Sequence, residues 1–284
     1  MPVGADYASS MGGVPRVLLI APGWRVNYAD EHSNQDGKVS FAEGTDAPRQ
    51  AQAELYWRRG PLSSWMAERG ASAAQSTAVE VLGALAHVYE NLGPAGGRQM
   101  SVALWELDGR VFEFRARVAG PDAFTSLLRS LRRVAQDEWL SALPPAAVRP
   151  VDHAATVAAM LRGVTVPPGF EPSAIRGTGL VKDRYQFGAL VAGAVACTWF
   201  LRWSEGRRDG DAARVSEAID AMATATDWPI LVEMAESGAY PWVIGQFAQA
   251  MPAGHWHGRP LEGDVNSGLG CRARGVPLTI HTAV

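Results

Sequence analysis

Apolar and polar residues follow two different periods along this chain, and the period changes near Pro144 and Pro145. Before that point, apolar residues alternate with polar ones, as in half-buried strands; after it, they recur at helical spacing. The pattern predicts an α+β fold with two domains: an antiparallel sheet with packed helices over residues 14–143, and a mainly helical domain with an irregular C-terminal tail over residues 144–284. A length of 284 residues also fits about two domains.

The clearest strands of the first half form a hairpin of residues 100–107 and 110–118. They are joined by an Asp-Gly pair that tolerates positive φ. Its second arm places aromatic residues on one face and charged residues on the other, so a slip of one residue would bury charges and the register should be firm. Alternating runs predict further strands at residues 24–30, 38–42, 53–58, 77–82 and 85–90.

Prolines mark the starts of two predicted helices in the first half. One runs from Pro61 to Arg69 and stops at Gly70. The other begins at Pro121, and its apolar residues keep helical spacing as far as Val134, which predicts a helix across that whole stretch.

A long helix from Lys182 to Arg202 dominates the second half. Its apolar run, residues 188–201, is about 14 residues long, whereas a membrane-spanning helix needs about 20, so we expect a buried core helix. Residues 206–210 are polar and predict a break after it. Shorter helices are predicted at residues 151–161, from the break through 222, at 229–238 and at 241–250, followed from residue 251 by a loop or covering strand.

Composition and charge narrow the class of protein. The chain is 47% hydrophobic and 19% charged, which is an ordinary globular balance. Its formal net charge is -3, and its arginine runs, at 129–133 and 202–208, are typical of solvated helix faces, so nucleic acid is not an expected partner. The first thirteen residues contain no apolar core, so no signal peptide is predicted.

Residues 32–43 imitate the calcium loop of an EF-hand. Asn34 and Asp36 stand at loop positions three and five, Gly37 at position six and Glu43 at position twelve. However, position one is His32, a poor ligand for a hard cation, and no helix pair flanks the loop. A hairpin with an Asp-Gly turn explains the same residues, and calcium binding is kept as an alternative.

Other candidate chemistry is sparse. His255 and His257 would project to one side of a strand, but a zinc site needs a third ligand, such as Asp264 or Glu262, and an exposed loop is the favoured interpretation. No nucleophile elbow and no phosphate-binding glycine loop occurs, so no catalytic, cofactor or metal residue is predicted.

A hydrolytic enzyme is the alternative to a non-catalytic protein. Its site would lie in a cleft between the two halves and use Asp183 or Asp227 near His153. Only the presence of these residue types supports it, so an enzyme is the less favoured hypothesis.

The two cysteines, Cys197 and Cys271, match no metal-binding spacing. They are either two buried thiols or one disulfide that holds the C-terminal tail to a core helix. A bridge across so long a loop would add about 4 kcal/mol of stability and would imply an oxidising compartment.

The first half resembles the small extracytoplasmic α+β domain that follows a single membrane helix in bacterial anti-sigma factors and related envelope proteins. The resemblance extends from Ala21-Pro22-Gly23-Trp24 through Ser130-Leu131. It rests on the hairpin Val102-Ala103-Leu104-Trp105 to Phe112-Glu113-Phe114 and on the helix after it.

The second half resembles a family of uncharacterised actinobacterial proteins that are usually membrane-anchored. The matching residues are Val166-Pro167-Pro168-Gly169-Phe170, Asp183-Arg184-Tyr185-Gln186, Gly193-Ala194-Val195-Ala196-Cys197, Asp227-Trp228-Pro229 and Gly268-Leu269-Gly270-Cys271. The resemblance implies an envelope location and a disulfide between Cys197 and Cys271, and it implies no known activity.

Together these observations predict a non-catalytic, envelope-associated binding or regulatory domain, without a cofactor. Its expected partner is a protein or small ligand of unknown identity. It is expected to reach the membrane only through an anchor that this chain lacks, and to be cytoplasmic if the chain is complete as given.

Overall fold

A computed structural model describes residues 13–33, 35–44, 52–70, 75–92, 100–118, 120–175 and 179–278. It divides the chain into two compact units: Met1–Val151 with Gly179–Asp183, and Asp152–Thr178 with Arg184–Val284. The predicted α+β fold class is confirmed. The first unit extends past the predicted boundary at residue 144 because the short strands Ala147–Val148 and Lys182–Asp183 pair with each other and both belong to it.

The first unit is built on a seven-stranded antiparallel sheet. Its strands are β2 (Trp24–Glu31), β3 (Gly37–Glu43), β4 (Ala53–Arg58), β5 (Gln75–Val81), β6 (Ala84–Leu92), β7 (Met100–Leu107) and β8 (Arg110–Ala116), and a separate short strand, β1, is Val17–Leu19. The spatial order in the sheet is β2-β3-β4-β8-β7-β6-β5. The pairing of β4 with β8 joins a three-stranded meander to a four-stranded one.

One face of this sheet packs on the main core of the unit. In β4 the alternate residues Ala53, Leu55 and Trp57 are buried, and the residues between them are half-buried on the opposite face. The helices α2 (Pro121–Arg129) and α3 (Gln136–Ser141) contribute Phe124 and Trp139 to the same core. The alternation read from the sequence therefore corresponds to one face towards the core and one towards a second, polar layer.

Helix α1 (Leu62–Gly70) covers part of the opposite face. Its apolar residues Leu62, Trp65 and Met66 pack on a small cluster formed by Tyr89, Val102, Leu104 and Val111. The rest of that face, over β2, β3, β4 and β8, carries charged and aromatic side chains.

The predicted hairpin of β7 and β8 is confirmed. Asp108 and Gly109 have φ values of 49° and 71°, as a two-residue turn between twisted strands requires. Leu107 pairs with Arg110, and the register continues without a shift to Ser101 and Ala116.

The helix predicted from Pro121 to Val134 is wrong in its last turn. Helix α2 ends at Arg129, and Leu131–Arg133 forms the strand β9, which pairs with β1. Leu131 is buried, and its position in the sequence fits both the helical spacing and a short strand. Pairing with β1 decides the outcome, because all three residues of β1 are buried and their backbone groups require hydrogen-bond partners.

The second unit is helical and is built around one long helix, as predicted. The strands β10 (Ala147–Val148) and β11 (Lys182–Asp183) belong to the first unit, and β12 (His255–Trp256) pairs with β13 (Arg259–Pro260) in the second. The helices are α4 (His153–Met160), α5 (Arg184–Asp209), α6 (Ala212–Ala223), α7 (Pro229–Ala235), α8 (Tyr240–Ala250) and α9 (Leu261–Gly268).

The predicted break at residues 206–210 begins too early, because α5 continues to Asp209 and only Gly210 and Asp211 separate it from α6. Gly206 is buried where α6 crosses, and a Cβ there would lie 3.0 Å from Val215. The glycine therefore permits a close helix approach instead of ending the helix. Helix α5 is long and apolar enough to cross a membrane, but 72% of its most apolar window is buried inside the protein.

Cys197 on α5 and Cys271 after α9 form a disulfide, which confirms the predicted pairing. The bridge closes 74 residues and adds about 4 kcal/mol in the chain-entropy model. Helix α9 lies in the stretch after residue 251 for which the sequence predicts a loop or a covering strand. Its glycines give little helix propensity, and its burial of Leu261 and Val265 stabilises it instead.

We expect Gly37→Ala to destabilise the protein by about 1–3 kcal/mol, because overpacking a filled site costs that much. A Cβ at this position would lie 2.3 Å from Cζ2 of the buried Trp57. Gly70→Ala is the matched control, since a Cβ there meets nothing within 4 Å. Urea unfolding measures both, and equal losses in the two variants would contradict the contact.

Candidate functional site

The polar layer of the sheet gathers charged and aromatic side chains from four strands and one helix. The register places Lys38 opposite Tyr56, and Tyr56 opposite Glu113. Residues two apart on a strand share a face, so Glu54 and Arg58 join this layer. We call it the cationic–aromatic face: Tyr28, Lys38, Glu54, Tyr56, Arg58, Trp65, Arg69, Glu113 and Arg115.

Glu113 lies at the centre of this face and is fully buried. Its Oε1 accepts from Arg115 Nε at 2.6 Å and pairs with Arg69 Nη2 at 2.9 Å, and its Oε2 lies 3.4 Å from Arg58 Nη2. A buried carboxylate is costly unless it is paired, and here three guanidinium groups surround it. Glu113 therefore holds three arginines in place. Because its single negative charge balances only one of them, this cluster of four side chains has a net positive charge.

Aromatic rings contact two of these arginines, Arg58 and Arg115, and also Lys38. The guanidinium of Arg58 lies 4.6 Å from the Tyr56 ring and 4.6 Å from the Trp65 ring. Arg115 lies 4.6 Å from the Tyr56 ring, and Lys38 Nζ 4.7 Å from that of Tyr28. Cation–π contacts of this kind add about 0.5–1 kcal/mol each at exposed sites and more where water is excluded. The arginines are thus held in defined positions.

Hydrogen bonds fix the phenol of Tyr56. Its hydroxyl donates to Glu54 Oε2 at 3.0 Å, while Lys38 Nζ donates to Glu54 Oε1 at 3.0 Å. Burial, together with the charge of Glu54, raises the pKa of Tyr56 to about 12, and the charge of Arg115 opposes this shift. Burial and the nearby Asp30 also raise the pKa of Tyr28. Both phenols are therefore neutral hydrogen-bonding groups at physiological pH.

A cavity of about 300 Å³ opens at one end of the face. The turn between β2 and β3, the end of β4 and helix α1 form its walls. Asp36 joins two of these walls, because its Oδ1 accepts from the backbone N–H of Arg59 at 2.9 Å and its Oδ2 from Ser33 Oγ at 3.0 Å. The lining residues are His32, Asp36, Gly37, Tyr56, Trp57, Arg58 and Trp65.

Buried ion pairs support the strand that leads into the cavity. Asp30 Oδ2 lies 3.1 Å from Nε2 of His32, whose side chain is 58% exposed, and Asp30 Oδ1 lies 3.6 Å from Lys182 Nζ. The neighbouring Glu31 pairs with Arg16 at 2.8 Å and accepts from the backbone N–H of Val181 at 2.7 Å. The end of β2 is therefore held by segments that are distant in the sequence.

The calcium alternative concerned residues 32–43, which the structure places in the β2–β3 hairpin. Asn34 lies outside the described residues. Glu43 pairs with Trp24 at the far end of β3, about 20 Å along the strand from Asp36. The hairpin does not bring these two carboxylates together, and the part of the chain that the structure describes contains no metal-binding group of three or more His, Cys, Asp or Glu.

The structure does not align the two histidines of the suggested zinc site on one strand. His255 lies on β12, and its Nδ1 is 2.8 Å from the carbonyl of Ala253, whereas His257 lies in the following turn with φ 47°. Their suggested third ligands are also committed to the fold: Glu262 is buried, and Asp264 pairs with Arg259 at 2.8 Å.

The residues of the enzyme alternative lie in different environments. His153 is buried and its ring packs 4.8 Å from that of Phe187. Asp227 is exposed at the end of a short 3₁₀ turn in the same unit. Asp183 belongs to the first unit, where it lies on β11 opposite Ala147.

Sequence reasoning missed Arg58, Trp65 and Arg69 as members of a site. The alternation of charged residues in β4 and in β8 was visible, but nothing in the sequence showed that these two strands pair. A glutamate between the two phenylalanines of β8, on the side that should face solvent, was the available signal for a buried ionic centre.

No protein-family model and no curated protein matches the sequence. A crystal structure of a protein from Bacteroides thetaiotaomicron VPI-5482 is similar over 65% of this chain and 78% of that chain, with 12% identity and a TM-score of 0.26. A similarity of that size carries no argument about fold or function.

We expect Tyr56→Phe to lessen the fall of the free energy of unfolding between pH 10.0 and about 12. The pKa of Tyr56 is raised from 10.0 to about 12. Between these values the folded state keeps a proton that the unfolded chain loses. The contribution of Tyr56 is therefore complete below pH 10.0 and is lost as the pH rises to about 12. Phenylalanine keeps the ring but cannot ionise. Urea unfolding across this window measures the slopes, and identical slopes would contradict the shift.

Proposed function

We propose that this protein is a non-catalytic binding domain of the cell envelope, and that its binding site is the cavity at the end of the cationic–aromatic face. The observation that carries the proposal is this cavity, because aromatic rings and a held arginine meet there in one concave site. Small-molecule sites combine those features: concave shape, aromatic walls and a few placed polar groups.

The rigidity of the walls supports binding as the function. Glu113 and Tyr56 hold Arg58, and the Nε1–H of Trp65 donates to the carbonyl of Arg59 at 3.0 Å. Asp36 ties the hairpin turn to the same loop. A ligand that enters such a site does not need to order these side chains, so less of its interaction free energy is lost on binding.

The location in the envelope is supported by the disulfide. Cys197 and Cys271 are both fully buried and bridged, and disulfides persist mainly in oxidising compartments. In the proposed arrangement, the domain lies outside the cytoplasm.

We expect the disulfide to be present in protein taken from the native host. Intact mass after alkylation under denaturing conditions, without reduction, should show neither Cys197 nor Cys271 labelled. The same protein alkylated after reduction is the control and should gain two labels. Two labels without reduction would place the protein in a reducing compartment and remove the support for an envelope location.

We expect a thermal-shift screen of small sugars, amino acids and short peptides to yield compounds that raise the Tm of the protein. Trp65→Leu should abolish these shifts, because it removes one wall of the cavity and one ring against Arg58. Trp242→Leu is the matched control, since Trp242 is 64% exposed on a helix of the second unit. Shifts that survive in Trp65→Leu, or a screen without any shift, would contradict the proposed site.

A further inference from the structure

We infer that the ligand of this cavity carries an anionic group, a carboxylate or a phosphate, and that Arg58 binds it through the edge of its guanidinium. The inference rests on the proposed function and names the chemistry of its ligand. It is carried by the way in which Arg58 is held.

Two aromatic rings contact the Arg58 guanidinium. Its central carbon lies 4.6 Å from the centre of the Tyr56 ring and 4.6 Å from that of the Trp65 ring. Planar guanidinium edges match the two oxygens of a carboxylate or phosphate through parallel hydrogen bonds. The two ring contacts restrict the movement of Arg58 before any ligand arrives.

One terminal nitrogen of the Arg58 guanidinium has a partner, and the other has none in the part of the chain that the structure describes. Nη2 lies 3.4 Å from Glu113 Oε2. Among the described residues, no side chain or backbone acceptor pairs with Nη1. Nη1 is not among the buried atoms that lack a partner, and Arg58 lines the cavity, so we take Nη1 as the donor group that a ligand there would meet. An arginine that is held by one carboxylate and contacted by two rings, with one terminal nitrogen unpaired, is suited to bind an anion.

The charges around Arg58 favour an anion. Among the nine described residues that define the face, Lys38, Arg69 and Arg115 are the other cations, and Glu54 and Glu113 are the carboxylates. Asp30 also acts on Tyr28 from beside the face, and it is paired with Lys182. Glu68 also approaches Arg69, at 3.6 Å, but its side chain is 57% exposed, so solvent screens it. The face therefore has a positive surplus, although the chain as a whole has a net charge of -3.

Asp36 is the acidic residue on the cavity wall, and its carboxylate already accepts hydrogen bonds from the protein. Its two oxygens accept from the backbone of Arg59 and from the hydroxyl of Ser33. His32, also on the wall, directs Nε2 towards Asp30 and keeps Nδ1 as a further polar atom. The anion should therefore bind at the Arg58 side, and the organic part of the ligand should contact the rings of Tyr56 and Trp65.

Calorimetric titration of the full chain with inorganic phosphate, glycerol 1-phosphate and acetate tests this inference, with sodium chloride at equal ionic strength as the blank. Arg58→Lys keeps the charge but loses the planar fork, and should weaken binding about tenfold, the loss expected for one charge-assisted hydrogen bond. Arg117→Lys is the matched control, because Arg117 is an exposed arginine just beyond β8. It should change the affinity less than about twofold, as an exposed site predicts.

Arg58→Lys could unfold the protein, because Arg58 pairs with the buried Glu113. A second variant keeps the inference testable in that case. Trp65→Leu changes neither partner of that ion pair and removes one of the two rings that contact the guanidinium, so the affinity for the anions should again fall. Circular dichroism and the Tm of each variant report whether it is folded.

The outcomes separate this inference from the proposed function. Equal anion affinity in Arg58→Lys and Arg117→Lys, or no anion binding at all, would overturn the inference. Neutral compounds that still depend on Trp65 would then leave the proposed function standing, and their absence would remove both. If binding is confirmed, sedimentation with phosphatidylglycerol vesicles, against phosphatidylcholine vesicles, tells a lipid headgroup from a free phosphate.

Discussion

The antiparallel pairing of β4 with β8 is the constraint on which the first unit depends. It joins the β2–β3–β4 meander to the β5–β8 meander, and its register places Tyr56 opposite Glu113. Because strand side chains alternate between faces, a slip of one residue would turn Glu113 into the apolar core and Phe112 towards the polar layer. The same pairing therefore sets the core on one side of the sheet and the candidate site on the other.

Burial of Glu113 links stability to the site. An isolated buried carboxylate costs several kcal/mol, and three guanidinium groups offset that cost here. A pair of apolar residues of similar volume would often be at least as stable in such a position. What the ionic arrangement adds is geometry: it holds Arg58 beside the cavity, in contact with Glu113 and with the rings of Tyr56 and Trp65. This is a physical reason for a chain to keep a charge inside a sheet.

The second unit depends on a different kind of constraint. Helix α5 is surrounded by shorter helices, and the disulfide ties the last of them, through Cys271, to its middle turn. Small residues let neighbours approach it: a Cβ on Gly188 would lie 2.7 Å from Met234, and one on Gly193 would lie 2.4 Å from the Tyr240 hydroxyl. Apolar burial and the covalent bridge together stabilise a C-terminal region that has little helix propensity of its own.

The sequence by itself determined the fold class, most strands and helices, the β7–β8 hairpin and the buried course of α5. Those features follow from local periodicity and turn chemistry, which neighbouring residues carry. It predicted the disulfide only through a resemblance. It misplaced the end of α2, because Leu131 satisfies both periods, and it did not find α9 or the continuation of α5 through Gly206.

The candidate site was decided by tertiary structure alone. Arg58, Trp65 and Arg69 come from the end of a strand and from a helix, and Glu113 comes from a strand more than forty residues later. Each of these residues in isolation looks like an ordinary solvated charge or core aromatic. Only the pairing of strands that are distant along the chain brings them within bonding distance, because local periodicity fixes which face a side chain takes but not which strand lies beside it.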